Sequence, residues 1–277
     1  MSLIPKKIFQ SWKTKNLPPK IQENVQKIKE LNPEYEYHLF DDNDCRELLR
    51  TYFGNNYANA FDELIPGAFK CDFWRYAVMY VYGGVYLDMD ITPLVPFRDM
   101  LTDKDEFVSI VDITHFSTPG IYQAFIASRP LHDIMRYSLQ LAFANIITKR
   151  SDMLGVDTLS ITGPGVVLVA TNLFLEKTDT TECVKPGRYG SVVLFKMDPN
   201  FTYDLNGQKI FKNKFTGYKP TSNYCFSKTF KNDPKKTLRK NLKIICILIM
   251  VSILVLIIMV YFWRKKSINC EKSCSQV

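Results

Sequence analysis

The stretch Tyr82–Leu94, YGGVYLDMDITPL, decides how this chain folds on paper. Two glycines lead at once into an apolar run that carries Asp88 and Asp90 and stops at Pro93. Read as a strand over Val85–Ile91, it sends Val85, Leu87, Met89 and Ile91 into one apolar layer. Tyr86, Asp88, Asp90 and Thr92 then share the opposite face, because successive side chains alternate. Two carboxylates on one face lie about 7 Å apart between Cα atoms. Acids so close repel unless they are protonated, separated or bridged by a cation. Hard oxygen ligands favour magnesium or manganese. The same Asp-x-Asp spacing recurs at Asp42/Asp44 and Asp103/Asp105, where a helix start and a polar turn account for it.

The preceding segment, Ala68–Tyr82, reads as a helix with Asp72 and Arg75 three residues apart on one face and Tyr76 and Met79 continuing along it. Such a pair is either an ordinary surface ion pair or a ligand clamp, Arg75 facing a phosphate or carboxylate and Asp72 accepting from hydroxyls. Its lead through two glycines into the paired acids favours the clamp. Gly83-Gly84 ends the helix with a left-handed residue and lets backbone approach a ligand.

Outward from there, Ile4–Trp12 reads as a first strand, and Ile21, Val25, Ile28 and Leu31 repeat at helical spacing before Asn32-Pro33. YEYHLF alternates like a strand, and DDNDCRELLRTYF starts as an acid-capped helix. Further helices are expected over Asn55–Leu64, Leu131–Ile147 and Gly165–Glu176, with strands at Phe107–Ile113, Ile121–Ala127 and Ser191–Met197. This alternation predicts an α/β fold with one mostly parallel sheet covered by helices on both faces, its ligand site beyond the carboxyl ends of the strands. Residues 199–230 are polar and aromatic, a loop over the site or a linker.

The segment DFWRYAVMYVYGGVYLDMDI resembles the core signature of glycosyltransferase family 32, which includes yeast-type mannosyltransferases and capsular polysaccharide sugar transferases. IPKKIFQSW, NPEYEYHLFDD, YQAFIASRP and TGPG resemble further family segments in the expected order, from Ile4 to about Gly165. The resemblance implies a Rossmann-like (GT-A type) sheet and a nucleotide-sugar-dependent transferase that retains anomeric configuration. It implies that Gln10 and Trp12 line the nucleotide pocket, that Asp72 and Arg75 hold the donor sugar and diphosphate, and that Asp88 meets ribose and metal. Asp90 would bind the Mn2+ or Mg2+ directly, with Gly83, Gly84, Thr162 and Gly163 completing the substrate site. GDP-mannose leads as donor, with UDP-sugars close behind. A membrane glycolipid such as inositol phosphorylceramide, or a glycan, would be the acceptor. Phe9 stands where the family commonly has a histidine, and Asn223–Asp233 lacks the family's C-terminal histidine.

Charge separates the chain into parts. Residues 231–277 hold ten Lys/Arg and two acids, which accounts for the whole formal charge of +8, so residues 1–230 are neutral overall. That leaves no basic footprint for nucleic acid. Ile244–Trp263 carries no charge and has the length of a membrane-spanning helix, about 20 residues, with basic flanks and an aromatic end. The expected organisation is a catalytic domain at 1–230, a basic linker at 231–243, a span at 244–263 and a tail at 264–277. The start of the chain has no signal-peptide core, and six basic residues before the span against four after it favour a cytosolic domain on an endomembrane. The sequon Asn200-Phe201-Thr202 would matter only in a lumen. The seven cysteines show no metal-ligand or disulfide spacing.

Three rivals are weighed. LDMDIT fits the Asp-x-Asp-x-Thr start of haloacid-dehalogenase-type phosphatases, but no downstream Gly-Asp-x-x-x-Asp follows. An EF-hand fails because Pro93 stands where glycine is needed. A membrane-tethered pseudoenzyme that binds sugar nucleotide without transfer is the non-catalytic alternative.

Overall fold

The computed structural model describes residues 2–112, 120–149, 161–213 and 230. The expected membrane span at 244–263, its flanking segments, His115 and most of Asn223–Asp233 lie outside the described residues. Among the described residues no helix is long and apolar enough to cross a membrane.

The chain runs β1 (Lys7–Ser11), α1 (Pro19–Leu31), β2 (Glu36–Phe40), α2 (Asp42–Phe53), α3 (Asn55–Glu63), α4 (Gly67–Tyr82), β3 (Gly84–Leu87) and β4 (Thr92–Pro93). After a short 3-10 turn at Phe97–Asp99 come β5 (Phe107–Asp112), β6 (Gly120–Ser128), α5 (Asp133–Ile147) and α6 (Pro164–Phe174). Four strands follow: β7 (Gly187–Tyr189), β8 (Val192–Met197), β9 (Phe201–Tyr203) and β10 (Lys209–Lys212). The ten strands of the described residues form one sheet in the order β2-β1-β3-β6-β5-β8-β9-β10-β4, with β7 beside β8.

The expected mostly parallel sheet is corrected to a mixed one. Only β1–β2, β1–β3 and β5–β8 are parallel; the other six pairings are antiparallel. The cause lies in the connections. Short links join β5 to β6 and β7 through β10, and a short link between neighbours turns the chain back rather than crossing over. Residues 199–230, read as irregular, supply β9 and β10.

The expected strand Val85–Ile91 is also corrected. It ends at Leu87. The amide of Asp88 still donates to the Ala124 carbonyl at 2.8 Å, and then the Ile91 amide folds back to the Asp88 carbonyl at 3.2 Å. Residues 88–91 are therefore a turn. Beyond it β4 pairs with β10, at the far end of the strand order from β3. Five Cα steps from Leu87 to Thr92 reach roughly 17 Å at most. Six strand spacings in a flat sheet would need about 29 Å. The sheet must roll back on itself, and the 88–91 turn closes the roll.

Both faces are filled. Val85, Leu87, Ile91, Val108, Ile110, Phe125, Phe195, Ile210 and Phe211 form one buried cluster that also takes Ile28 of α1 and Phe97. Phe9, Tyr86, Phe107 and Ile126 face the other way, into a cluster built with α2 through α6. The alternation expected for Val85, Tyr86 and Leu87 holds as far as the strand lasts. The acid-capped helix start is present too. Asp41 is the N-cap of α2 and forms a reciprocal capping box with Asp44.

Candidate active site

β1 and β3 are parallel, with Phe9 opposite Tyr86, so their carboxyl ends emerge side by side at Ser11 and Asp88. The site begins there. Its floor is α4, a helix whose Asp72 through Met79 are all buried, so the Asp72–Arg75 pair is no surface pair.

Arg75 is the hub. One guanidinium nitrogen lies 3.2 Å from Asp72 Oδ1 and 3.0 Å from Asp88 Oδ1, and another donates to the Gln123 carbonyl at 2.7 Å. The guanidinium plane sits 4.3 Å over the ring of Tyr86. The Tyr86 hydroxyl in turn donates to Asp88 Oδ1. Burial works to lower the Arg75 pKa, but Asp88, Tyr86, Cys71 and Asp72 more than reverse it, so the guanidinium stays charged. Its Nε is buried without a partner among the described residues.

Asp72 ties α4 to the start of α6. Its Oδ2 accepts from the Thr162 hydroxyl at 3.0 Å. Next along the helix, the Tyr76 hydroxyl meets Gln123 Oε1 and the carbonyls of Thr162 and Gly163. Burial, opposed by Arg75 and helped by Asp88, lifts the Asp72 pKa to about 6. The side chains of Asp72 and Arg75 expose only 9% and 4%, whereas that of Asp88 exposes 32%. The two expected donor-sugar contacts thus lie beneath the surface acid rather than beside it. The structure brings Thr162 and Gly163 into this network through Asp72 and Tyr76, with Gly163 as the N-cap of α6.

Asp90 sits two residues further along the turn. Among the described residues no other side chain pairs with its carboxylate. Burial and then the Asp88 charge raise its pKa to about 6. Two acids that crowd each other at a partly open turn fit a divalent cation, which would relieve the repulsion. No group of three or more His, Cys, Asp or Glu gathers among the described residues. Mg2+ or Mn2+ held there would have Asp88 and Asp90 as its protein carboxylates and would take its remaining oxygens from outside this group of side chains.

Gln10 is fully buried. Its amide nitrogen donates to the Leu87 carbonyl at 3.0 Å, and its oxygen accepts from the Tyr37 hydroxyl at 2.9 Å. It props up the end of β3 from beneath the surface. Trp12 is half-buried and packs with Leu17 and Leu39 against the small cluster of Ile21, Val25 and Met89. Gly83 and Gly84 are at the opposite end of β3 from Asp88. Their φ angles are +61° and +99°, and an added Cβ would stand 2.6 Å from Pro130 N and from Lys7 O respectively. The close approach predicted for them is to the protein's own backbone, not to a ligand.

Several site residues gave only a faint sequence signal. Cys71 Sγ lies 3.0 Å from the Tyr86 hydroxyl and 3.1 Å from the Ser11 hydroxyl, which places a thiol inside the network. Gln123 reaches in from β6. Asn24 of α1 binds the back of the acid turn. It falls on the stripe Ile21, Val25, Ile28, and a polar residue on an apolar helical face was the signal available.

With this geometry in hand, comparison with known proteins is informative. Residues 18–108 match the glycosyltransferase sugar-binding region containing DXD motif. The resemblance read from the sequence is thus supported from α1 to the start of β5. Inositol phosphoceramide mannosyltransferase 3 of Schizosaccharomyces pombe is 36% identical over 88 residues, covering 32% of this chain and 24% of that protein. Initiation-specific alpha-1,6-mannosyltransferase of Candida albicans is 28% identical over 107 residues, 36% of this chain and 28% of that protein. An uncharacterized glycosyltransferase of Acanthamoeba polyphaga mimivirus is 26% identical over 152 residues, 54% of this chain and 58% of that protein. The matched stretch is thus about a quarter of each mannosyltransferase.

Proposed function

We propose that this chain is a metal-dependent, retaining glycosyltransferase that moves a hexose, mannose first among candidates, from a nucleotide sugar to a membrane glycolipid or glycan. The observation that carries this reading is the turn at the carboxyl end of β3. There Asp88 is fixed by Arg75 and Tyr86 while Asp90 is left for a cation. The DXD family match over the same residues supports it. The names of the yeast and fungal relatives support mannose as the sugar and inositol phosphoceramide as one acceptor class.

In this reading Asp88 and Asp90 hold Mn2+ or Mg2+, which when bound neutralises charge on the departing diphosphate. The bond from the anomeric carbon to the phosphate oxygen breaks, and its electron pair leaves with the nucleoside diphosphate. The acceptor hydroxyl bonds to that carbon from the same face, and its proton leaves with the diphosphate. Arg75 and Tyr86 are positioning residues: they fix one oxygen of Asp88 and leave the other free. Arg75, itself buried, also contributes fixed positive charge beneath the phosphates. Asp72 positions Arg75 and anchors the start of α6. The basic segment and apolar run beyond residue 230 would hold the domain at an endomembrane, on its cytosolic side.

The test is a donor screen with full-length chain in detergent, Mn2+ present, and GDP-mannose or UDP-sugars as donors. Metal-dependent turnover that Asp90→Ala abolishes supports the enzyme. Binding of nucleotide sugar without hydrolysis or transfer for every donor would replace it with the binding-only alternative.

A further inference from the structure

Asn24 is one of two buried asparagines on α1 and its C-cap. Its amide nitrogen donates to the carbonyls of Met89 at 3.0 Å and Ile91 at 2.9 Å, and its amide oxygen accepts from the Thr92 hydroxyl at 2.9 Å. Both amide hydrogens and the oxygen are used. The orientation is unambiguous, because a flipped amide would set its oxygen against two carbonyl oxygens. The carbonyls it holds follow Met89 and Ile91, so they bracket Asp90. Ile21 and Val25, on the same face of α1, pack on the Met89 side chain. The hydrogen bonds that hold the Met89 and Ile91 carbonyls therefore come from one helix more than sixty residues away in sequence.

From this geometry we infer that Asn24, locked by Thr92, is the positioning residue that sets the relative orientation of Asp88 and Asp90. The inference rests on the reading of those acids as the cation site, and it adds a determinant outside the acid motif. Asn24 touches neither acid side chain. It acts by fixing two peptide planes, and a carboxylate carried on a loose turn binds a cation less well than one held in place. A buried asparagine could instead serve only the fold, and Asn32 provides the comparison. It is the buried C-cap of α1, donates to the Ile28 carbonyl at 2.9 Å and accepts from the Phe97 amide at 2.7 Å, so its side-chain hydrogen bonds go to the helix end and to Phe97 rather than to the turn.

The experiment compares Asn24→Ala, Thr92→Val and Asn32→Ala in the full chain by amide hydrogen exchange and by calorimetric titration with Mn2+ alone. Asn24→Ala and Thr92→Val should speed exchange within residues 88–92 and weaken Mn2+ binding by about tenfold or more. Asn32→Ala should speed exchange near Phe97 and leave Mn2+ affinity within about twofold of the wild type. The inference is overturned if Asn24→Ala leaves exchange in the turn unchanged, or if Asn32→Ala weakens Mn2+ as much. Should Asn24→Ala fail to fold, Thr92→Val decides on the same criteria. A wild type that binds no Mn2+ would sink the metal reading instead, and the exchange data alone would then judge the clamp.

Discussion

Arg75 shows what a single buried side chain does here. It joins Asp72, Asp88 and the Gln123 carbonyl while its plane rests on Tyr86. Lysine would keep the charge but could neither fork nor stack. Arg75→Lys is expected to fold and to lose at least about a hundredfold in kcat/KM, near 3 kcal/mol, measured by donor turnover at saturating metal. Arg75→Met leaves buried Asp72 without its cation and Asp88 without its anchor, and should cost about 3–5 kcal/mol in urea unfolding; a loss under about 1 kcal/mol would show that the network is slack. Gly84 makes the same point for backbone. Its φ is +99°, and an added methyl carbon would stand only 2.6 Å from Lys7 O. Gly84→Ala should therefore lower Tm by several degrees, more than Gly207→Ala, whose added carbon meets nothing within 4 Å. The sequence flagged these glycines correctly as unusual. It assigned their neighbour wrongly, because a motif shows that backbone must come close to something without showing to what.

Helix ends and turns carry the next level. His132 is the N-cap of α5, accepting the Ile134 amide at Nδ1 (3.1 Å), with its ring between Phe107 and Phe174. Burial, then the charge of Arg129, pushes its pKa down to about 4. The folded state thus keeps this imidazole neutral while the unfolded chain protonates it near pH 6.5. Stability from this group is complete above pH 6.5 and is lost as pH falls toward 4, by about 3 kcal/mol at most. His132→Asn retains a cap acceptor without titrating, so the difference in Tm between the two proteins should change across that window and level off outside it. A constant difference would contradict the burial argument. At this scale the sequence was legible where period and caps act locally, as in α1, α2 and α4. It failed at Asp88–Ile91, where alternating residues favoured a longer strand. The residues after Leu87 take their partners from Asn24 and β10 instead of continuing the pairing of β3, and both partners are distant in the chain.

Over the whole molecule, two properties have separate origins. The formal charge of +8 arises entirely beyond residue 230, and the part that carries the acid turn is neutral. If the tail alone makes membrane contact, full-length chain should sediment with anionic vesicles and resist salt extraction, while a fragment ending at Lys231 should remain in the supernatant. Sedimentation of that fragment would move the lipid-binding surface onto the folded unit. The α/β class, most of the helices and the placing of the acids at the carboxyl end of a strand were readable from periodicity and punctuation; the short strands β4, β9 and β10 were not. The mixed direction of the sheet was not, since it depends on which strands meet and not on any one strand's composition.

The rolled sheet has a consequence for synthesis on the ribosome. Thr92, just past the acids, finds its strand partner only at Lys212. A growing polypeptide that has emerged only as far as β8 already contains every acid of the motif but cannot yet close the hoop that shapes them. If the acids hold a cation as proposed, its capture should switch on late in translation, and stalled nascent chains of increasing length would reveal it as a step once β10 has cleared the exit tunnel, not as a gradual rise.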